Sequence, residues 1–175
     1  MRLEEICQLH CEDIYEENGI WIFDITTESS DGLNDKFLKT KNAIRQIPIH
    51  DKLIELGLLD YLDTICSKSP RLFPLLNKTE KTFKYGKQVG NQFSALVKAR
   101  GIEGKKSFHS LRHTFDDFFK QDHSQEKNIF KQIFGHEITD LATNQYGSKY
   151  PPKQCYNEII SKLHYEGEEN LKRAL

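Results

Sequence analysis

At 175 residues, with 37% hydrophobic and 29% charged side chains, the chain has the size and composition of one soluble globular domain with a real core. No apolar run approaches the roughly 18 residues a membrane span needs, and Met1-Arg2-Leu3-Glu4-Glu5 does not read as a signal peptide. The net charge of −1 hides an asymmetry: residues 1–35 carry a net of −9, residues 36–113 a net of +10 and residues 114–175 a net of −2. A basic middle segment is the footprint of a phosphate-facing surface, although charges that balance in three dimensions would give the same count.

In chain order, Leu3, Ile6, Cys7 and Leu9–His10 recur at helical spacing. Asn18-Gly19 is a turn signal, and the β-formers of Ile20–Ile25 predict a strand after it. A polar loop over residues 26–35 leads to two further predicted strands, Phe37–Lys39 and Ile44–Pro48, joined by a basic turn. Leu53, Leu56, Leu59 and Leu62 predict a helix, or a pair broken at Gly57. Helices are predicted near 88–100, closed by Gly101, and over 107–120, 125–134, 140–146 and 152–164. The expected fold is therefore α+β, mostly helical, with a small three-stranded antiparallel sheet. Residues 166–175 read as a frayed or partner-dependent end.

The cysteines, Cys7, Cys11, Cys66 and Cys155, show no paired framework, so a reduced, cytosolic setting fits best. Cys7, His10 and Cys11 invite a metal reading, but no second ligand pair follows at zinc spacing.

The chemistry concentrates late in the chain. On the 107–120 helix, Phe108, Leu111, Phe115 and Phe118 form an apolar stripe expected to be core, while His109, Arg112, His113 and Asp116 share the other face. Cations at these spacings suit an anion site, since a guanidinium fork matches phosphate oxygens. A solvated face with Asp116 pairing to Arg112 or His113 is the plain alternative. A His109–His113 metal pair would lack the glutamate of a zincin. Gly135, a helix-ending glycine, precedes His136, and Tyr146 follows ten residues later beside Gly147.

His109-Ser110-Leu111-Arg112-His113-Thr114-Phe115, then Gly135-His136, then Tyr146-Gly147 resembles the catalytic domain of the tyrosine recombinases, the phage integrase family. Arg2-Leu3-Glu4-Glu5-Ile6 resembles the family's first arginine motif, and residues 37–48 its lysine-bearing hairpin, over about residues 1–150 in all. The resemblance implies that Arg2 and Arg112 clamp the scissile phosphate, Tyr146 attacks it, and Lys39 protonates the leaving 5′-oxygen. It also implies that His109 moves protons, His136 hydrogen-bonds the phosphate and Glu5 braces the site from behind. Lys41 is the second candidate lysine and Tyr150 the second candidate tyrosine. Lys41, Arg45, Lys105, Lys106 and His113 are expected to contact DNA.

The implied reaction is site-specific recombination of double-stranded DNA, for a mobile element, by a cytoplasmic, nucleoid-associated protein that uses neither ATP nor a metal. The implied partners are DNA and other protomers, four on assembled DNA. The chain starts one residue before its first arginine, so it is expected to be a partial catalytic domain without the family's N-terminal DNA-binding domain. Asp116-Asp117 departs from the small residues usual there. A type IB topoisomerase-like enzyme and an inactive DNA-binding remnant are the competing readings. The apolar stripe Cys155, Ile159, Ile160 and Leu163 is expected to pack on the chain's own core or on a neighbouring protomer.

Overall fold

The computed structural model describes residues 1–29, 32, 35–121, 127–136 and 149–164. Among them, a short opening helix α1 (Leu3–Cys7) leads into a hairpin of β1 (Ile14–Glu17) and β2 (Ile20–Ile25), and then into β3 (Arg45–Pro48). The helices α2 (Asp51–Glu55), α3 (Leu58–Cys66), α4 (Gly86–Ala99), α5 (Phe108–Gln121), α6 (Lys127–Phe134) and α7 (Pro152–Glu158) follow. The sheet is antiparallel in the order β1-β2-β3 and packs through β2 and β3 against α7, with α6 on β3. The fold is α+β, as expected.

The sheet has three strands, but not the predicted three. Phe37–Lys39 is not a strand; β1 takes its place, pairing Ile14 with Phe23 and Glu17 with Ile20. The two-residue turn that makes this possible is Asn18-Gly19, with φ of 53° and 80°. Two consecutive left-handed residues match the twist of the flanking strands, so the Asn-Gly signal implied a strand before it as well as after it. Pro48 sits on β3, an edge strand, where a missing N–H costs no ladder bond.

The predicted break at Gly57 is present: the residue has φ 89° and separates α2 from α3. The last predicted helix is shorter than expected, giving way to a 3-10 turn at Ile160–Lys162. Its apolar stripe packs on the chain's own core, with Cys155, Ile159, Ile160 and Leu163 all buried beside Ile25, Ile47 and Ile129. The helix predicted at 140–146 and the end at 166–175 lie outside the described residues.

One cysteine expectation is overturned. Cys11 and Cys66 form a disulfide across a sequence separation of 55, tying the segment after α1 to the end of α3. Backbone bonds had already brought these segments together, Cys11 N–H to the Pro70 carbonyl at 2.8 Å and Leu72 N–H to Leu9 at 3.0 Å. No local spacing could reveal a pair so far apart. Cys7 and Cys155 are free and buried, and burial pushes both thiols up to about 11.

Candidate active site

Glu5, on α1, is the hub of the site. Its side chain is 4% exposed and takes four hydrogen bonds: from Arg2 N at 2.7 Å, Arg2 Nη1 at 2.8 Å, and Arg45 Nη2 and Nη1 at 2.9 and 3.3 Å. Burial alone would raise the carboxyl, but the bonds and charge of Arg45, with the hydrogen bonds from Arg2, hold it down at about 2. A carboxylate at the third helical position that reaches back to the residue before the helix fixes that residue, here Arg2.

Arg45 was expected to contact DNA. Instead it is 1% exposed, with its donors turned inward to Glu5, to the Ala43 carbonyl at 2.6 Å and, through Nε, to the Ile133 carbonyl at 2.9 Å. A guanidinium can be buried when its donors are matched this fully. Ile133 is in the last turn of α6, where backbone carbonyls lack helical partners. Arg112 takes the next one, donating from Nη2 to the Phe134 carbonyl. Two arginines thus cap one helix end, where cations are also favoured by the helix dipole.

Beyond that end, Gly135 adopts φ 69°, and two bonds close the helix: Gly135 N–H to Gln132 at 3.0 Å and His136 N–H to Lys131 at 2.9 Å. A Cβ on Gly135 would lie 2.9 Å from Arg45 Cζ, so the position requires glycine for both its conformation and its space. Gly135→Ala is expected to cost about 1–3 kcal/mol, read as a lower midpoint in thermal melting. An unchanged midpoint would contradict the close approach.

Arg112 is not on the face predicted for it. The inward side of α5 runs Phe108, Arg112, Phe115 and Phe119, whereas Leu111 and Phe118 are 52% and 43% exposed. An arginine fits this apolar stripe because its Cζ lies 3.6 Å from the centre of the Phe134 ring. Phe134 in turn stacks with Phe115 and Phe130 at 5.8 and 5.1 Å. Arg112 is 8% exposed, and its Nη1 is buried with no hydrogen-bond partner among the described residues.

His136 Nε2 lies 3.5 Å from Arg112 Nη2, and the His109 and His113 rings meet edge-on at 4.7 Å. The His136 imidazole is held below its ordinary range by burial and by the charge of Arg112. His109 is lowered too, by burial, then by His113, Arg112, Arg2 and Lys39, so all of these charges reach it. Arg112 itself is pushed down to about 10 by burial and by Arg2, and stays charged at neutral pH. On one side Arg112 and His109 border a mostly apolar cavity of about 700 Å³, walled also by Leu3, Phe108, Phe134 and Leu163. Such walls strengthen the field of the cations they flank. The arrangement can hold an anion against fixed cations, with the His109 and His136 imidazoles, both lowered mainly by burial, on hand to accept protons.

A model of the phage integrase family matches residues 1–151. The chain belongs to the phage integrase family. No curated protein and no solved structure matched it. The match covers the tyrosine recombinase catalytic domain.

Within this integrase domain the remaining expected residues divide. Lys39, Lys105, Lys106 and His113 are exposed. Tyr146 lies outside the described residues, as does the side chain of Lys41. Tyr150 is half-buried against the core, its backbone N–H and carbonyl both bonded to the Gln132 side chain at 2.8 and 2.9 Å. No group of three or more His, Cys, Asp or Glu side chains suited to a metal occurs among the described residues. Glu4, Gln8, Lys36 and Gln132 carried no sequence signal. Glu4 accepts the Tyr85 and Gly86 N–H groups at the start of α4, at 2.8 and 2.9 Å, and Lys36 is buried against Asp13 at 2.7 Å. Each is a polar side chain serving a distant backbone or charge, which spacing along the chain does not disclose.

Proposed function

We propose that this integrase-family chain cleaves and rejoins DNA at specific sites through a 3′-phosphotyrosyl intermediate. Arg2 and Arg112 hold the non-bridging oxygens of the scissile phosphate, where charge accumulates in the transition state. The Tyr146 hydroxyl attacks phosphorus and passes its proton toward His109, since a phenol with pKa about 10 is mostly protonated at neutral pH. The bond from phosphorus to the 5′-oxygen breaks, and Lys39 gives that oxygen a proton. His136 hydrogen-bonds the phosphate. Attack by a 5′-hydroxyl on the phosphotyrosine reverses the sequence and releases Tyr146.

Glu5 and Arg45 keep Arg2 and the end of α6 in register, and Lys41, Lys105, Lys106 and His113 are assigned to DNA contacts. The working assembly is a group of protomers, four in a complete recombining complex, on double-stranded DNA. The observation that supports this reading is the buried Arg112 guanidinium, with Nη1 unpartnered among the described residues and His136 beside it.

The test is a library of nicked duplexes made from the source genome, in which cleavage near the nick releases a short strand and traps the intermediate. A protein–DNA adduct that survives denaturation is the expected result. Binding without any adduct would favour an inactive DNA-binding remnant. An adduct accompanied by relaxation of supercoiled DNA, but no exchange between two copies of the captured site, would favour a topoisomerase-like activity.

A further inference from the structure

Lys39 lies in a loop, not in the hairpin strand expected for it, so something other than a β-ladder must hold it. Gln8, at the end of α1, is 3% exposed, and its carboxamide takes both backbone groups of Phe37. Nε2 donates to the Phe37 carbonyl at 3.1 Å, and the Phe37 N–H donates to Oε1 at 2.9 Å. This is the pair of bonds that a neighbouring strand would have made, supplied by one side chain. One residue earlier, the Lys36 ammonium is buried between Asp13 Oδ1 and the Glu28 carbonyl, both at 2.7 Å. One residue later, Leu38 packs on the core. Phe37 itself is 64% exposed, so burial of its side chain does little to hold the segment.

Gln8 follows α1, the helix that carries Glu5 and is entered from Arg2. We infer that Gln8 is a positioning residue that fixes the backbone of the Lys39 segment to the helix of Arg2 and Glu5. It thereby sets where the Lys39 ammonium stands relative to the arginine clamp. The inference rests on the proposed role of Lys39 as the proton donor to the leaving 5′-oxygen.

Chemistry separates positioning from mere support. With a 5′-sulfur in place of the bridging oxygen, the P–S bond breaks to release a thiolate, which leaves without needing a proton. Single-turnover cleavage of nicked duplexes with each leaving atom is measured for wild type, Gln8→Met, which keeps the volume, Gln8→Asn, which is too short to span Phe37, and Lys39→Ala. With the oxygen substrate both Gln8 variants are expected to slow about tenfold to a hundredfold, the effect of a donor displaced by about 1 Å. With the sulfur substrate they are expected to run within about threefold of wild type, and Lys39→Ala to show the same rescue from a deeper loss of about 10²- to 10⁴-fold. Equal slowing on both substrates, or no slowing, overturns the inference.

If Lys39→Ala is not rescued by sulfur, it is the proton-donor role that fails. Amide hydrogen exchange at Phe37 then judges Gln8 alone, and judges it also if wild type forms no adduct. Faster exchange at Phe37 in Gln8→Met, with the core amides unchanged, supports the clamp; unchanged exchange at Phe37 overturns it.

Discussion

Arg112→Ala is expected to lower the rate of DNA cleavage about 10³-fold, with DNA affinity much less affected, because in the proposed mechanism the lost donor acts mainly on charge developing at phosphorus. Several contacts disappear together. The guanidinium bonds the Phe134 carbonyl, lies over the Phe134 ring and keeps Nη1 buried with no hydrogen-bond partner among the described residues, and alanine supplies none of these. Arg112→Lys is expected to recover little. An ammonium keeps the charge, but it lacks the planar fork that lets one side chain cap a helix and hold phosphate oxygens together.

A second readout does not need activity. Burial is the main reason that His136 sits below its ordinary range and the charge of Arg112 the next, so removing that charge should raise the His136 titration seen by NMR. For His109, where burial, His113 and Arg112 act in that order, the rise should be smaller. Undiminished cleavage, or a His136 titration that stays in place, would contradict the placement of Arg112 at the centre of the site.

Glu5→Gln is expected to destabilise the fold by about 3–5 kcal/mol, the cost of leaving a buried charge without its partner. Arg45 is 1% exposed and would lose its only carboxylate partner among the described residues, while keeping the Ile133 and Ala43 carbonyls. For a chain of this size the melting midpoint should fall by roughly 6–20 °C.

The sign of the pH dependence follows from the depressed carboxyl. Glu5 drops from an ordinary 4.5 to about 2 on folding, so its contribution is complete above 4.5 and is lost as the pH falls toward 2. Over that window wild type should lose stability more steeply than Glu5→Gln. Parallel curves, or a midpoint within about 2 °C of wild type, would mean that the Glu5–Arg45 pair does not hold the site together.

Much of this was readable in the chain because it was local. The Asn18-Gly19 turn, the break at Gly57 and the glycine closing α6 are each set by the conformational freedom of one or two adjacent residues. Arg2, Arg112, Gly135 and His136 come together around Glu5, Arg45 and the end of α6. What was hidden depends on partners far along the chain. Arg45 counted as a surface cation until Glu5, 40 residues earlier, and Ile133, 88 residues later, enclosed it. Arg112 was assigned to the solvent face because periodicity treats arginine as polar, whereas its guanidinium stacks on Phe134 and joins the aromatic stripe. The Cys11–Cys66 disulfide and the Gln8 clamp on Phe37 belong to the same class.

Tyr146 stands at the centre of the account, and one measurement addresses it directly. The adduct formed on nicked DNA is digested with protease and nuclease, and the peptide retaining a nucleotide remnant is identified by mass spectrometry. The remnant is expected on Tyr146, with Tyr146→Phe forming no adduct. A remnant on Tyr150 or any other side chain, or an adduct that persists in Tyr146→Phe, would contradict the account.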